Sequence, residues 1–154
     1  MSSRLHIIGR EEQVTFPTLG VERVKAKVDT GADLSSIWCS KIERAKGHLE
    51  CIFFGPKSTY YTGKKISFDK SEFDTTRIYN SFGHSEKRYK VKIPVIINGR
   101  KIKTTFTLAD RSKKEYSVLL GRKLLAKRFL VDVASRFSIK RQIKQIKRLR
   151  RASS

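Results

Sequence analysis

Residues 24–33 read VKAKVDTGAD, and the fold turns on how this stretch is understood. Val24, Ala26 and Val28 alternate with Lys25 and Lys27. That two-residue period belongs to a strand with one face buried and the other in water. The strand ends on a carboxylate, a hydroxyl and a glycine: Asp29, Thr30 and Gly31. An acid at a strand end is ordinary turn chemistry. An acid followed by a hydroxyl and a residue without a side chain also suits a reactive carboxylate, since glycine lets the backbone approach it and donate an N–H. A turn and an active site are both open at this point.

The chain has 154 residues, enough for one domain with a modest core. It is 38% hydrophobic and 32% charged, a soluble globular composition. No apolar run approaches the length needed to span a bilayer. The opening MSSRLHIIGREEQ carries one short apolar patch and then acids, unlike the long apolar centre of a secretion signal. Two cysteines, Cys39 and Cys51, make no disulfide framework, and reduced thiols in a cytoplasmic protein are expected.

Charge is the dominant global feature: 35 Lys and Arg against 14 Asp and Glu, a net +21. Residues 136–154 hold eight basic side chains and no acid, yet the remaining body keeps 27 basic against 14 acidic residues, a net +13. A polyanionic partner is implied, whether nucleic acid, ribosome, anionic membrane or acidic peptide.

Most of the body reads as strands, and no internal repeat is visible. Residues 51–54 (CIFF) and 66–68 (ISF) flank a turn-rich segment, so 51–68 is expected to form a hairpin or flap-like excursion. Residues 69–88 look polar and irregular. The clearest hairpin runs over 89–108, where Val91, Ile93, Val95 and Ile97 alternate up to Asn98-Gly99 and Ile102, Thr104, Phe106 and Leu108 return. Pro94 predicts an edge or irregular position there. Val118 to Leu120 form a buried strand, Gly121 a close backbone approach, residues 122–128 (RKLLAKR) a short helix and residues 129–133 (FLVDV) a final strand. Ile139, Ile143, Ile146 and Leu149 then recur at helical spacing among basic residues, which predicts a basic amphipathic tail over 139–154 behind a domain at 1–138.

VDTGAD after a strand and LLGRKLL from strand to helix, about 90 residues later, resemble the two motifs of the retropepsin aspartic proteases. More extensively, residues 7–33, 81–112 and 119–138 resemble a bacterial and archaeal retropepsin-like family labelled "ATP-dependent zinc protease". Its genes often accompany an ATP-grasp ligase that adds glutamates to a ribosomal protein. The resemblance implies a mainly β, retropepsin-like closed barrel (the acid protease fold) with one short helix and a basic C-terminal helix. One departure stands out: that family usually has Arg where this chain has Asp33, the viral-retropepsin choice.

The label finds little in the residues. There is no GxxxxGK loop ending in Ser or Thr and no HExxH. Of the donors His6, His48, His84, Cys39 and Cys51, only His48 and Cys51 stand at a ligand-like spacing, so neither a metal nor another cofactor is expected.

Aspartic proteolysis needs two carboxylates that share a proton, one acting as base on a water while the other donates to the carbonyl oxygen. No other acid of the chain is followed by Ser or Thr and Gly. The second acid is therefore expected from a second copy, in a homodimer with an Asp29 of each subunit at the two-fold axis. By the resemblance, Asp29 is the catalytic acid, Thr30 locks the two loops together and Gly31 donates its N–H. Ala32 borders the substrate, and Asp33 and Arg122 pair to tie the loop to the helix. Arg88 and Arg111, with Lys25 and Lys27, lie in matching segments and would suit glutamate-rich peptides. His84 reads as a hydrogen-bonded structural histidine. The competing reading is a non-catalytic basic module that holds RNA or ribosome.

Overall fold

The computed structural model describes residues 5–152, and the side chains of all of these except 139–145. Eleven strands are found among them: β1 (His6–Ile8), β2 (Glu11–Phe16), β3 (Val21–Val28), β4 (Ser35–Ala45), β5 (His48–Phe53), β6 (Lys65–Phe68), β7 (Phe73–Tyr79), β8 (Ser85–Ile97), β9 (Arg100–Ala109), β10 (Val118–Leu120) and β11 (Phe129–Val131). A single turn of 3-10 helix covers Pro17–Leu19, and two α-helices, α1 (Arg122–Leu125) and α2 (Ile139–Ala152), follow β10 and β11. The molecule is mainly β, and no described helix is long and apolar enough to cross a membrane.

Six strands close a circuit of hydrogen-bonded neighbours: β10, β3, β2, β8, β9 and β4, with β4 returning to β10. The short strand β10 makes the closure, running parallel to β3 and antiparallel to β4. Its residues face the core because the alternations read in the sequence converge there. Val24, Ala26 and Val28 of β3, Val91, Ile93, Val95 and Ile97 of β8 and Val118 and Leu120 of β10 are all buried. Phe16 and Phe106 meet edge to face at 5.5 Å in the same interior. Each of the valine, isoleucine, leucine and phenylalanine side chains contributes about 1.5–3 kcal/mol when fully removed from water.

The hairpin between β8 and β9 turns at Asn98 and Gly99, both with positive φ, as a tight two-residue turn requires. Pro94 sits within β8 opposite Lys103. On the other edge of β8, β7 pairs with residues 85–91 and β2 with residues 96–97, so the missing N–H falls between two partners.

Two expectations for 51–88 need correction. The β5–β6 hairpin exists, with Leu49 opposite Phe68, but its connection is packed down instead of flap-like. The Lys25 N–H donates to Tyr60 Oη at 3.2 Å, and a Cβ on Gly55 would lie 2.4 Å from the Trp38 ring. Residues 73–79, inside the segment read as irregular, form β7 and pair with β8 from Phe73–Val91 to Tyr79–Ser85. The sheet alternation is hidden there because no residue of β7 is fully buried. Asn80 closes the tip, its Oδ1 accepting the Phe82 and His84 N–H groups at 3.0 Å.

A separate parallel ribbon, β1 with β11, sets Ile7 opposite Leu130. Beyond it, residues 132–138 are clamped to β2 by two buried glutamates. Glu11 accepts from Tyr116 Oη at 2.6 Å and Arg136 Nε at 2.9 Å, and Glu12 accepts the Ser138 N–H at 2.7 Å. Cys39 and Cys51 are free and buried, as expected of reduced thiols. In α2 the described apolar side chains Ile146 and Leu149 are exposed, so this end of the stripe does not dock on the body; the Ile139 and Ile143 side chains lie outside those described.

Candidate active site

Strand β3 carries Asp29 to the point where β10 ends beside it. The Asp29 N–H donates to Leu120 O at 2.9 Å, extending the parallel pairing of Val28 with Leu120. The chain then turns sharply, and the Gly31 N–H donates to Asp29 Oδ1 at 3.0 Å. Asp29 is half-buried, while Thr30 and Gly31 are exposed at the crest of the loop.

The loop is held from behind by the start of α1. The Arg122 N–H donates to Ala32 O at 2.7 Å and the Lys123 N–H to Asp33 O at 3.1 Å. Gly121 makes this approach feasible: a Cβ there would lie 2.6 Å from the Leu34 carbonyl carbon. The Gly121 N–H itself donates to the Ser35 hydroxyl at 3.0 Å. Outside the loop, Arg122 Nη2 pairs with Asp33 Oδ1, as the motif resemblance implied. Their side chains are 57% and 70% exposed, so the pair is worth about 0–1 kcal/mol.

A cleft of about 580 Å³ opens beside the loop. Gly31, Ala32 and Asp33 form one wall, β7 and β8 contribute Thr76, Arg77, Tyr79 and Arg88, and Ser36, Thr107 and Arg111 line it from β4, β9 and the segment after β9. Lys123 adds a fourth cation. Arg111 donates from Nε to Tyr116 O at 2.7 Å. Burial holds its guanidinium below the usual arginine range, Arg88 adds repulsion, and the Asp29 carboxylate offsets part of both. Arg88, Arg111 and the Asp29 loop therefore belong to one electrostatic unit.

Not every expected cation is there. Lys25 does not line the cleft; its ammonium lies 3.7 Å from Glu11 and over the Tyr116 ring. Lys27 is exposed and does not line the cleft. His84 is exposed at the β7–β8 tip and does not line the cleft; its backbone bonds Asn80 in both directions. Conversely, Ser36, Arg77 and Lys123 reach the cleft without having been anticipated. A run of β-branched and aromatic residues, TTRIY at 75–79, was the available signal for Arg77.

A family model described as RimB-like, "Retropepsin-like aspartic endopeptidase RimB", matches residues 7–142. The chain belongs to the RimB-like family. Among curated proteins it is similar to a probable alpha-L-glutamate ligase of Shewanella pealeana, 34% identical over 141 residues, which cover 90% of this chain and 31% of that one. A protein of the same description from Desulfotalea psychrophila is 32% identical over 130 residues, covering 83% of this chain and 28% of the relative. This RimB-like chain thus spans about a third of the length of the curated relatives it matches. A solved structure from Legionella pneumophila, a protein of unknown function, superposes with a TM-score of 0.67 at 21% identity, over 86% of this chain and 96% of the other. That likeness concerns the fold alone.

Proposed function

We propose that this RimB-like chain is an aspartic endopeptidase, active as a homodimer, that cleaves acidic peptides, glutamate-rich ones among them. The observation that carries the reading is the Asp29 carboxylate, held by the Gly31 N–H on a loop whose next residues, Gly31 to Asp33, wall a cleft that Arg77, Arg88, Arg111 and Lys123 also line. In this reading the six-strand circuit is the closed barrel of the acid protease fold, and the β7–β8 hairpin covers the substrate.

Two Asp29 carboxylates, one from each subunit, share a single proton. The ionised one takes a proton from a water whose oxygen attacks the scissile carbonyl carbon, while the protonated one donates to the carbonyl oxygen. Collapse of the tetrahedral intermediate breaks the C–N bond, and a carboxyl proton passes to the departing amine. Thr30, at the exposed crest, ties the two loops across the axis, and Ala32 and Asp33 border the peptide. The names of the longer relatives fit a hydrolytic segment joined to an enzyme that makes glutamate chains. The test is hydrolysis of a glutamate-rich fluorogenic peptide by the pure protein. Asp29→Asn should lower the rate by roughly 10²–10⁴-fold or more with folding unchanged. Persistent cleavage by the variant overturns the assignment, and a wild type that binds RNA but cuts no such peptide favours the non-catalytic reading.

Helix α2 acts separately, as a basic anchor for RNA or ribosome. Its described residues include Lys147, Arg148, Arg150 and Arg151 and no acid. Removing residues 139–154 should flatten the salt dependence of RNA binding, because fewer counterions are released. An unchanged slope refutes the anchor.

A further inference from the structure

The cleft holds more positive charge than its own acids answer. Asp33 is engaged by Arg122, and Glu86 reaches Arg88 Nη2 at 3.1 Å from a side chain that is 68% exposed. Arg111 spends Nε on a backbone carbonyl, and among the described residues its terminal nitrogens make no hydrogen bond. Two further polar atoms are buried without a hydrogen-bond partner: Ser36 Oγ and Arg88 Nε. Both residues line the cleft. Ser36 is only 5% exposed, and its neighbour Ser35 has already supplied the hydroxyl that the Gly121 N–H requires. The fold therefore has no evident use for the Ser36 hydroxyl, and leaving it unpaired costs free energy.

We propose that Ser36, Arg88 and Arg111 form a seat for one carboxylate of the substrate, beside the Asp29 loop. The proposal rests on the peptidase reading and adds a specificity-determining residue to it, Ser36. A planar monoanion suits the place. Guanidinium groups match a carboxylate edge to edge, and the Asp33 carboxylate on the cleft wall disfavours a dianion such as phosphate. Ser36 Oγ and Arg88 Nε are covered in the free protein, so engaging them takes a rotation of each side chain. Arg88, with a quarter of its side chain exposed, has room for it. The carboxylate comes either from an acidic side chain or from the C-terminus of the peptide, and the test separates the two.

Binding is measured in the Asp29→Asn background, which should slow turnover, with three labelled peptides. These are C-terminally amidated tetraglutamate, amidated tetraglutamine, and tetraalanine with a free C-terminus. Amidated tetraglutamate should bind about tenfold more weakly to Arg111→Gln and to Arg88→Gln, and several-fold more weakly to Ser36→Ala, while tetraglutamine is unaffected. Arg111→Lys, which keeps the charge without the planar fork, should recover only part of the loss. Arginine dependence confined to tetraalanine assigns the seat to the C-terminal carboxylate. Equal weakening of all three peptides, or of none, overturns the seat. Selective binding without cleavage by the wild type leaves the seat standing and sinks the peptidase, whereas cleavage of neutral and acidic peptides alike, unaltered by Arg111→Gln, does the reverse.

Discussion

Glu11 shows how one residue can hold distant parts of this chain together. It accepts from Tyr116 Oη and Arg136 Nε and lies 3.7 Å from Lys25 Nζ. Burial pushes its carboxyl up, but the hydrogen bonds from Tyr116 and Arg136 and the charge of Lys25 outweigh it, leaving the group below its ordinary 4.5. Tyr116 moves the other way, to about 12, because ionisation would set a phenolate against the Glu11 carboxylate it now bonds, with burial adding to the rise. The signs give stability limits on both sides. The Glu11 contribution is present above pH 4.5 and disappears as the pH falls through the lowered folded value. The Tyr116 contribution is complete below its unfolded value near 10 and is lost as the pH climbs from there toward 12. Melting temperature should thus fall at both extremes. Glu11→Gln should blunt the acid limb and Tyr116→Phe the alkaline one; limbs unchanged in both variants would show that the clamp contributes nothing to the pH response. Tyr116 also lends its carbonyl to Arg111, so the clamp reaches the cleft.

Among the elements, the β7–β8 hairpin is where sequence and structure diverge most. The β8–β9 hairpin was legible from 91 to 108 because one face meets the core, and burial imposes alternation on the residues themselves. In β7 both faces are part-exposed, so no alternation is written and only the β-branched and aromatic content remains. The Asp29 loop and Arg122 were legible for a different reason. Their contact is set by backbone bonds between two short motifs, and a motif of fixed spacing can be read without knowing the fold. Ser36 and Arg77 reach the cleft only through long-range pairings of β4 with β9 and β7 with β8, which local sequence does not encode. If the hairpin covers bound peptide, amide exchange over 73–91 should slow when amidated tetraglutamate is added to Asp29→Asn protein. The packed 54–64 connection should not respond. Protection confined to 54–64 would return the covering role to that loop.

At the scale of the whole molecule, one Asp-Thr-Gly per chain makes the proposed chemistry depend on a second copy, and the surface offers a place for one. Leu5, Ile7, Leu130 and Val133 are 45%, 48%, 53% and 69% exposed, a run of apolar side chains on and beside the β1–β11 ribbon. Ile7 and Leu130 stand opposite each other in register, and among the described residues no third strand pairs with the ribbon. The ribbon leads toward the site, since the carbonyl of Arg10, two residues past β1, accepts the Val28 N–H at 2.9 Å, one residue before Asp29. A two-fold contact built there would bury the apolar side chains of the ribbon on both copies. Sedimentation should therefore give a mass near twice the 17.8 kDa of the chain. Ile7→Lys and Leu130→Lys should each shift it toward the single-chain mass, and a buried lysine at such a contact would weaken association by tenfold or more, on the order of 1.4 kcal/mol at least. Activity per chain should fall on dilution over the same concentrations at which the mass falls, because half a site does no chemistry. Full activity per chain in a protein that sediments as a single copy would defeat the shared-carboxylate mechanism, and a dimer indifferent to both lysine substitutions would move the contact away from the ribbon.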